Sequence, residues 1–407
     1  MTSEVAPRGP RIRVRMTERA TDEPHRVSSP LELLFDLTFV VAIASLTAQL
    51  AHGIAEGHVL GDLAPFFMVF FAIWWAWMNF TWFASSYDTD DVPYRLLTMV
   101  QMGGVLVLAA GVPAAFEESD FRAVTLGYLI MRIGLVAQWV RAGVEHPAGR
   151  STAFRYATGI AVVQALWLLR LLLAETGVLP LASVVPVFAC LVVLELAVPP
   201  WAERPRSTSW HPHHIAERYG LFTIILLGES VLAASTGVQA AFEEGGVGGA
   251  FLTIAIGGLV LLFALWWLYF LEPSGRGLAD FRDRSYLWGY GHYGIFAALA
   301  AVGAGLEVAV EQTGHHLEVS AVAVAYAISV PVGGFLILLW AVHAPILVRP
   351  VIRPAVILTA AAVVLLLPLA VGAAGLAIVV AGIALTVALV VVATLLAPSL
   401  PEPEPVR

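Results

Sequence analysis

What constrains this chain most is a succession of apolar segments, each close to the roughly twenty residues a helix needs to cross the hydrocarbon core of a bilayer. They fall at approximately residues 31–52, 62–84, 94–115, 121–141, 153–175, 180–199, 215–236, 249–271, 287–310, 319–343, 352–371 and 374–397. In hydrocarbon every backbone N–H and C=O has to be satisfied within its own segment, so runs of this length form helices. The expected fold is all-α, a polytopic integral membrane helical bundle of about twelve transmembrane helices. Its 59% hydrophobic and 13% charged residues are far from the balance of a soluble enzyme of this length.

The arginines give the bundle a sidedness. Six precede the first segment (Arg8, Arg11, Arg13, Arg15, Arg19 and Arg26). Arg95, Arg141, Arg150, Arg155, Arg204, Arg206, Arg218, Arg276, Arg282, Arg284, Arg349, Arg353 and Arg407 fall on links or segment ends of the same side. Only Arg122 falls on the other, with Arg132 and Arg170 inside segments. Positive charge is retained on the cytoplasmic face, which predicts N-in, C-in topology in the inner (cytoplasmic) membrane. Residues 1–29 have no apolar core of the kind a cleaved signal requires and read as a disordered cytoplasmic tail; residues 398–407 read as a proline-rich C-terminal tail. Between them lie two membrane halves of about six helices, 30–200 and 215–397, joined by a cytoplasmic loop at 201–214. Trp74-Trp75 is echoed by Trp266-Trp267 and Tyr94 by Tyr286, each pair 192 residues apart, as a parallel repeat predicts. Chance recurrence in aromatic-rich segments is the plainer alternative.

All 22 basic residues are arginine. Without lysine there is no retinal or pyridoxal Schiff base and no phosphate-binding Walker lysine. The lone Cys190 sits in an apolar run and reads as packing. No cofactor is expected. The expected surroundings are the lipid bilayer and an unknown small-molecule or ion substrate, with a homo-oligomer open; the net charge of -8 offers nothing to nucleic acid.

Polar residues inside these segments need partners or water, because a charge at membrane depth is costly. Glu32 and Asp36 lie one turn apart on one face of the first segment. Asn79, Gln101, Gln138, His213, His214, Glu217, Arg218 and His292 gather on the same inner half, which suggests a polar vestibule; the bland reading is that such residues cap or snorkel. Arg132 and Glu229 lie deeper. Gly127 and Gly134 flank Arg132 and permit close helix approach; Arg132 could pair with Glu229, while Arg170, Glu195 and Glu307 compete for partners. Asp88, Asp90 and Asp91 form an inner acidic cluster that could hold Mg²⁺ with a substrate phosphate, or cap the next helix before Pro93 and pair with Arg95. His211-Pro-His-His214 lacks the second ligand pair of a zinc site, and His315 and His316 fall on the opposite side. No protein metal site is expected.

Three stretches carry a resemblance: Pro30-Leu-Glu-Leu-Leu-Phe-Asp-Leu-Thr-Phe-Val40, Trp77-Met-Asn-Phe-Thr-Trp-Phe-Ala-Ser-Ser-Tyr-Asp-Thr-Asp-Asp91, and His214-Ile-Ala-Glu-Arg-Tyr-Gly-Leu-Phe-Thr-Ile-Ile-Leu-Leu-Gly-Glu-Ser230. Together they resemble the bacterial low temperature requirement protein A (LtrA) family over about residues 28–395. The resemblance implies a multi-pass inner-membrane protein linked to growth in the cold, with Glu32, Asp36, Asp88, Asp90, Asp91, Glu217, Arg218 and Glu229 as motif residues. Leu34 stands where a second phenylalanine is expected. Acids in spans, a suspected repeat and no nucleotide-binding residues favour a secondary transporter or proton/ion-coupled permease, and no catalytic residue is assigned. Its pathway candidates are Glu32, Asp36, Gln101, Arg132, Glu217, Arg218, Glu229 and His292. The alternatives are a membrane enzyme acting on a lipid or isoprenoid phosphate through Asp88, Asp90 and Asp91, and a non-catalytic membrane stress factor that works through a partner.

Overall fold

The computed structural model describes residues 12–21, 23, 26–243, 248–314 and 317–397, with the side chains of 181, 233–234 and 236–243 left aside. Among the described residues there is helix and no strand. In order the helices are α1 (Pro30–Ala55), α2 (Val59–Tyr87), α3 (Val92–Ala110), the short α4 (Val112–Glu117), α5 (Arg122–Glu145), α6 (Arg150–Glu175), α7 (Val184–Ala202) and α8 (Pro212–Glu243). They continue with α9 (Gly249–Leu271), the short α10 (Ser274–Asp280), α11 (Ser285–Glu311), α12 (Ala321–His343), α13 (Pro354–Leu366), α14 (Val371–Ala374) and α15 (Leu376–Leu395). Every expected segment overlaps a helix, although 94–115 runs across the break between α3 and α4 and 352–371 past the end of α13. Eleven helices among the described residues are long and apolar enough to cross a membrane; the remaining expected segment, 215–236, lies on α8, part of whose side chains fall outside the described residues.

The helix starts follow from local chemistry. At α1, Ser29 and Glu32 form a reciprocal capping box around Pro30. The Ser29 N–H donates to Glu32 Oε2 at 2.7 Å, and the Glu32 N–H to Ser29 Oγ at 3.3 Å. At α3 the Asp91 carboxylate accepts from the Tyr94 N–H at 3.1 Å, with Pro93 in the first turn. Between α14 and α15 the chain turns at Gly375, whose φ of +83° suits a residue without Cβ.

Two compact units emerge, residues 1–53 with 58–225 and residues 54–57 with 226–407. In the first, α3 packs on α5, α5 on α6 and α6 on α7. The α3–α5 contact is a small-residue seam. A Cβ on Gly127 would meet backbone atoms of Leu108 and Gly104 at 2.4–2.8 Å, and one on Gly134 would meet Gln101, so the expected close approach is present. On α1 the buried face carries Glu32, Phe35, Asp36 and Phe39, while Leu33, Leu34, Leu37 and Val41 are exposed for contact with lipid. Leu34, the departure from the family motif, is therefore on the outward face.

In the second unit α9 packs on α15, α11 on α12 and α12 on α13. The tryptophan echo meets unlike surroundings. Trp74 and Trp75 are 1% and 0% exposed, Trp266 and Trp267 44% and 46%. Cys190, expected to pack, is exposed on α7.

The N-terminal tail needs correction. Its described residues are not a disordered appendage but a strap fixed by ions. Arg13 Nη2 pairs with Glu145 Oε1 at 2.8 Å, the Val14 N–H donates to Asp91 Oδ2 at 2.8 Å, and Met16 is fully buried with its N–H on Glu145. Composition alone read this polar stretch as loose because its partners, Asp88, Asp91 and Glu145, lie on distant loops and helix ends. Residues 1–11 lie outside the described residues.

The seam makes a prediction. Gly127→Ala should destabilise the protein by about 1–3 kcal/mol through overpacking, lowering its unfolding midpoint in detergent. Gly103→Ala, where an added Cβ meets nothing within 4 Å, should leave the midpoint in place.

Candidate functional site

Glu32 and Asp36 of α1 face His214 and Arg218 of α8, two pairs with the same four-residue spacing on helices of the first unit. Each pair presents one helical face, so the spacings mesh. Arg218 Nη1 lies 3.1 Å from Glu32 Oε1, Arg218 Nη2 donates to Asp36 Oδ1 at 2.5 Å, and His214 Nε2 lies 3.1 Å from Glu32 Oε1. Glu32, His214 and Arg218 are 0% exposed and Asp36 2%. One arginine thus bridges two buried carboxylates.

Aromatic rings close the cluster. Trp77 of α2 donates its Nε1–H to Asp36 Oδ1 at 2.7 Å and packs on Phe222 and Tyr219, while Phe35 packs on Phe80. Trp77 is therefore a direct partner of the acid. Toward the helix ends Arg26 of the strap lies 3.7 Å from Glu32 and 3.6 Å from Asp88, and Arg19 lies 3.5 Å from Asp88 while gripping Glu23. Asp36 Oδ2, Arg218 Nε and the buried Tyr94 hydroxyl have no hydrogen-bond partner among the described residues. The open vestibule expected from sequence is here a closed, charge-rich knot.

The other sequence candidates distribute as follows. Glu217 is turned away from its neighbour Arg218 and accepts from the Ser28 N–H at 3.3 Å. Gln101 donates to Gln138 at 3.0 Å, and Gln138 to Thr98 at 3.1 Å, an amide ladder between α3 and α5. Arg132 does not pair with Glu229; it lies 3.5 Å from Glu195 and also donates to Tyr128. Glu195 further accepts from Trp75, Tyr128 and Trp167 at 2.8, 2.7 and 3.2 Å, so this deep carboxylate is saturated with donors. Sequence reasoning named Glu195 only as a competitor, although an acid inside Leu-Val-Val-Leu-Glu-Leu is signal enough. Glu229 and His292 belong to the second unit. Glu229 is half-buried there, and His292 is buried against Tyr269, 3.2 Å away, and the Trp288 carbonyl, 2.7 Å away.

The three inner aspartates are split among different arginines. Asp90, at a φ of +48°, takes Arg95 in a two-pronged contact at 2.8 Å; Asp91 takes Arg141 at 2.6 Å; Asp88 takes the strap arginines. Among the described residues no group of three or more His, Cys, Asp or Glu is placed to hold a metal ion. The capping reading describes Asp91, and the magnesium reading has lost its shared ligand set. Burial pushes the Asp88 carboxyl up to about 6, with Glu32 adding to the rise against Arg26 and Arg19. Burial would also raise Asp91, but Arg141 and the N–H groups of Val14 and Tyr94 outweigh it and hold it at about 2.

All three motif stretches in this unit meet at one place: the start of α1, the end of α2 with its aspartate loop, and the start of α8. The profile of the bacterial low temperature requirement A protein (LtrA) matches residues 27–397. The chain belongs to the LtrA family. Among curated proteins it is 30% identical over 291 residues to the uncharacterized protein RA0937 of Rhizobium meliloti (strain 1021), covering 66% of either chain, just under two thirds of that relative's length. No solved structure matches. This LtrA protein is thus a multi-pass helical membrane protein whose family motifs build an ion cluster.

Two predictions follow from the geometry. Arg218→Met leaves Glu32 and Asp36 buried without their shared cation and should cost about 3–5 kcal/mol, read by chemical unfolding in detergent. Adding Glu32→Gln and Asp36→Asn to it should restore most of the loss. Asp91 is held below its ordinary 3.8 in the fold, so its contribution is present above pH about 4 and lost as pH falls toward about 2. Asp91→Asn should flatten that acid limb of the unfolding midpoint.

Proposed function

We propose that this protein is a proton- or ion-coupled membrane transporter, with the Glu32–Asp36–His214–Arg218 cluster as its protonatable element. The observation that carries the reading is the charge count among these buried side chains. Three buried carboxylates, Glu32, Asp36 and Asp88, face two buried guanidiniums, Arg26 and Arg218. Arg19 does not redress the balance, since Glu23 takes it at 2.6 Å. With His214 neutral the cluster is one positive charge short, and one proton closes the deficit. Two carboxylate oxygens of the cluster lack a hydrogen-bond partner among the described residues, and since Glu32 Oε1 lies 3.1 Å from both Arg218 and His214, Asp36 Oδ2 is the place for that proton.

A structural role alone accounts poorly for this arrangement, because buried ion pairs are often no more stabilising than apolar residues of the same size. Ionisable groups kept in membrane segments mark transport or proton paths. On this reading Glu217, Gln101 and Arg132 support the route within the first unit, and protonation of Asp36 frees Arg218 to change partners. The wider frame is twelve spans in two related six-helix halves, N-in and C-in, in the inner membrane, supporting growth in the cold. The substrate is a small molecule or ion.

The test uses wild-type and Asp36→Asn protein reconstituted into liposomes. Infrared difference spectra across pH should show a titrating carboxylic acid C=O band in the wild type that Asp36→Asn lacks. Potential-driven proton uptake should be lost with it. A variant that keeps both the band and the uptake refutes the assignment.

A further inference from the structure

Four arginines are buried among the described residues, and Arg26, Arg132 and Arg218 each face a carboxylate. Arg170 does not. It lies on α6, 5% exposed, and makes no ion pair or hydrogen bond among the described residues; its Nε is buried without a partner. Its guanidinium is instead held among three rings, 5.6 Å from the centroid of Phe121, 5.9 Å from Trp167 and 5.6 Å from Phe188. Aromatic faces stabilise a cation but do not neutralise it. An uncompensated buried charge calls for a counter-ion from outside the chain.

The space for one is present. Arg170 lines a cleft among α2, α5, α6 and α7 with about 380 Å³ of empty space, part of it open to the surroundings. About two oxygen-sized atoms fit in it, which suits the paired oxygens that a guanidinium grips best. Thr125 also lines the cleft and is, with Arg170, a hydrogen-bond donor in its wall. The rest of the wall is apolar, with Met68 and Phe71 among it. Arg170 is five residues from the end of α6 at Glu175, about 8 Å along the axis. That is the depth at which headgroups meet acyl chains.

We propose that this cleft binds the phosphate of an anionic membrane phospholipid, with Arg170 and Thr125 on the phosphate oxygens and the aromatic and aliphatic wall along the start of the acyl chain. The apolar wall favours a lipid over a free anion, which would leave that surface unused. The site is separate from the ion cluster and does not depend on the transport reading.

The experiment compares wild type, Arg170→Met and Arg170→Lys, purified in detergent and titrated with short-chain phosphatidylglycerol or with inorganic phosphate. Thermal unfolding and native mass spectrometry are the readouts. Phosphatidylglycerol should raise the wild-type midpoint and be retained as a bound adduct. Arg170→Met should bind it at least about tenfold more weakly, and Arg170→Lys should fall between. Because no internal ion pair is lost, lipid-free Arg170→Met should unfold no earlier than the wild type. Equal lipid binding by Arg170→Met overturns the proposal. So does an equal response of the wild type to inorganic phosphate, which would make this a soluble-anion site, and so does an early-unfolding Arg170→Met whose loss Arg170→Lys fully repairs without lipid.

Discussion

The first unit depends on a single cation shared by two acids. Arg218 is buried between Glu32 and Asp36, and neither helix could place its charges there alone. Taking a guanidinium and two carboxylates out of water costs several kcal/mol per ion, and only mutual proximity recovers it. That requirement fixes the rotation of α1 and α8 about their axes more tightly than apolar packing does, since Leu or Phe tolerates sliding in lipid and a short ion contact does not. The ring of Trp77, Phe35, Phe80 and Phe222 follows from the same need, excluding water and supplying one donor in its place.

Glu195 and Arg132 solve the same problem at greater depth by another route. Here the carboxylate is satisfied mostly by neutral donors, the indoles of Trp75 and Trp167 and the phenol of Tyr128. Both centres lie in one unit and both use tryptophan N–H groups, so the aromatic richness of α2 serves hydrogen bonding as well as packing. The difference between them is informative. The deep centre is saturated on the acid side, whereas at the Asp36 centre Oδ2 has no hydrogen-bond partner among the described residues.

Much of this was legible in the residues. The apolar runs located every long helix because hydrocarbon leaves the backbone no other choice. Glu32 and Asp36 announced a wet or charged face, and the equal spacing of His214 and Arg218 held the matching half of the pattern. The partner of Arg132 was not legible. Depth along a helix can be counted from sequence, but the direction a side chain takes around the axis depends on which helices are neighbours, and nothing in the residues says that the acid of α7 faces Arg132. The strap was misread for a related reason: Arg13, Val14 and Arg26 are ordered by acids more than sixty residues away in sequence, and local composition carries no trace of them. The environments of Trp74 and Trp266 likewise show that matching residues at matching intervals need not face matching surroundings.

The two oxygens of Glu32 have separate employments. One holds the amide that begins α1, and the other touches the arginine and histidine of α8. A carboxylate is a rigid plane, so its two ends cannot be repositioned independently. A turn of that carboxylate about its side chain therefore disturbs the contact with Arg218 and the cap of α1 together. The knot of charge and the threshold of the helix thus share one side chain, and a change at either end of it is felt at the other.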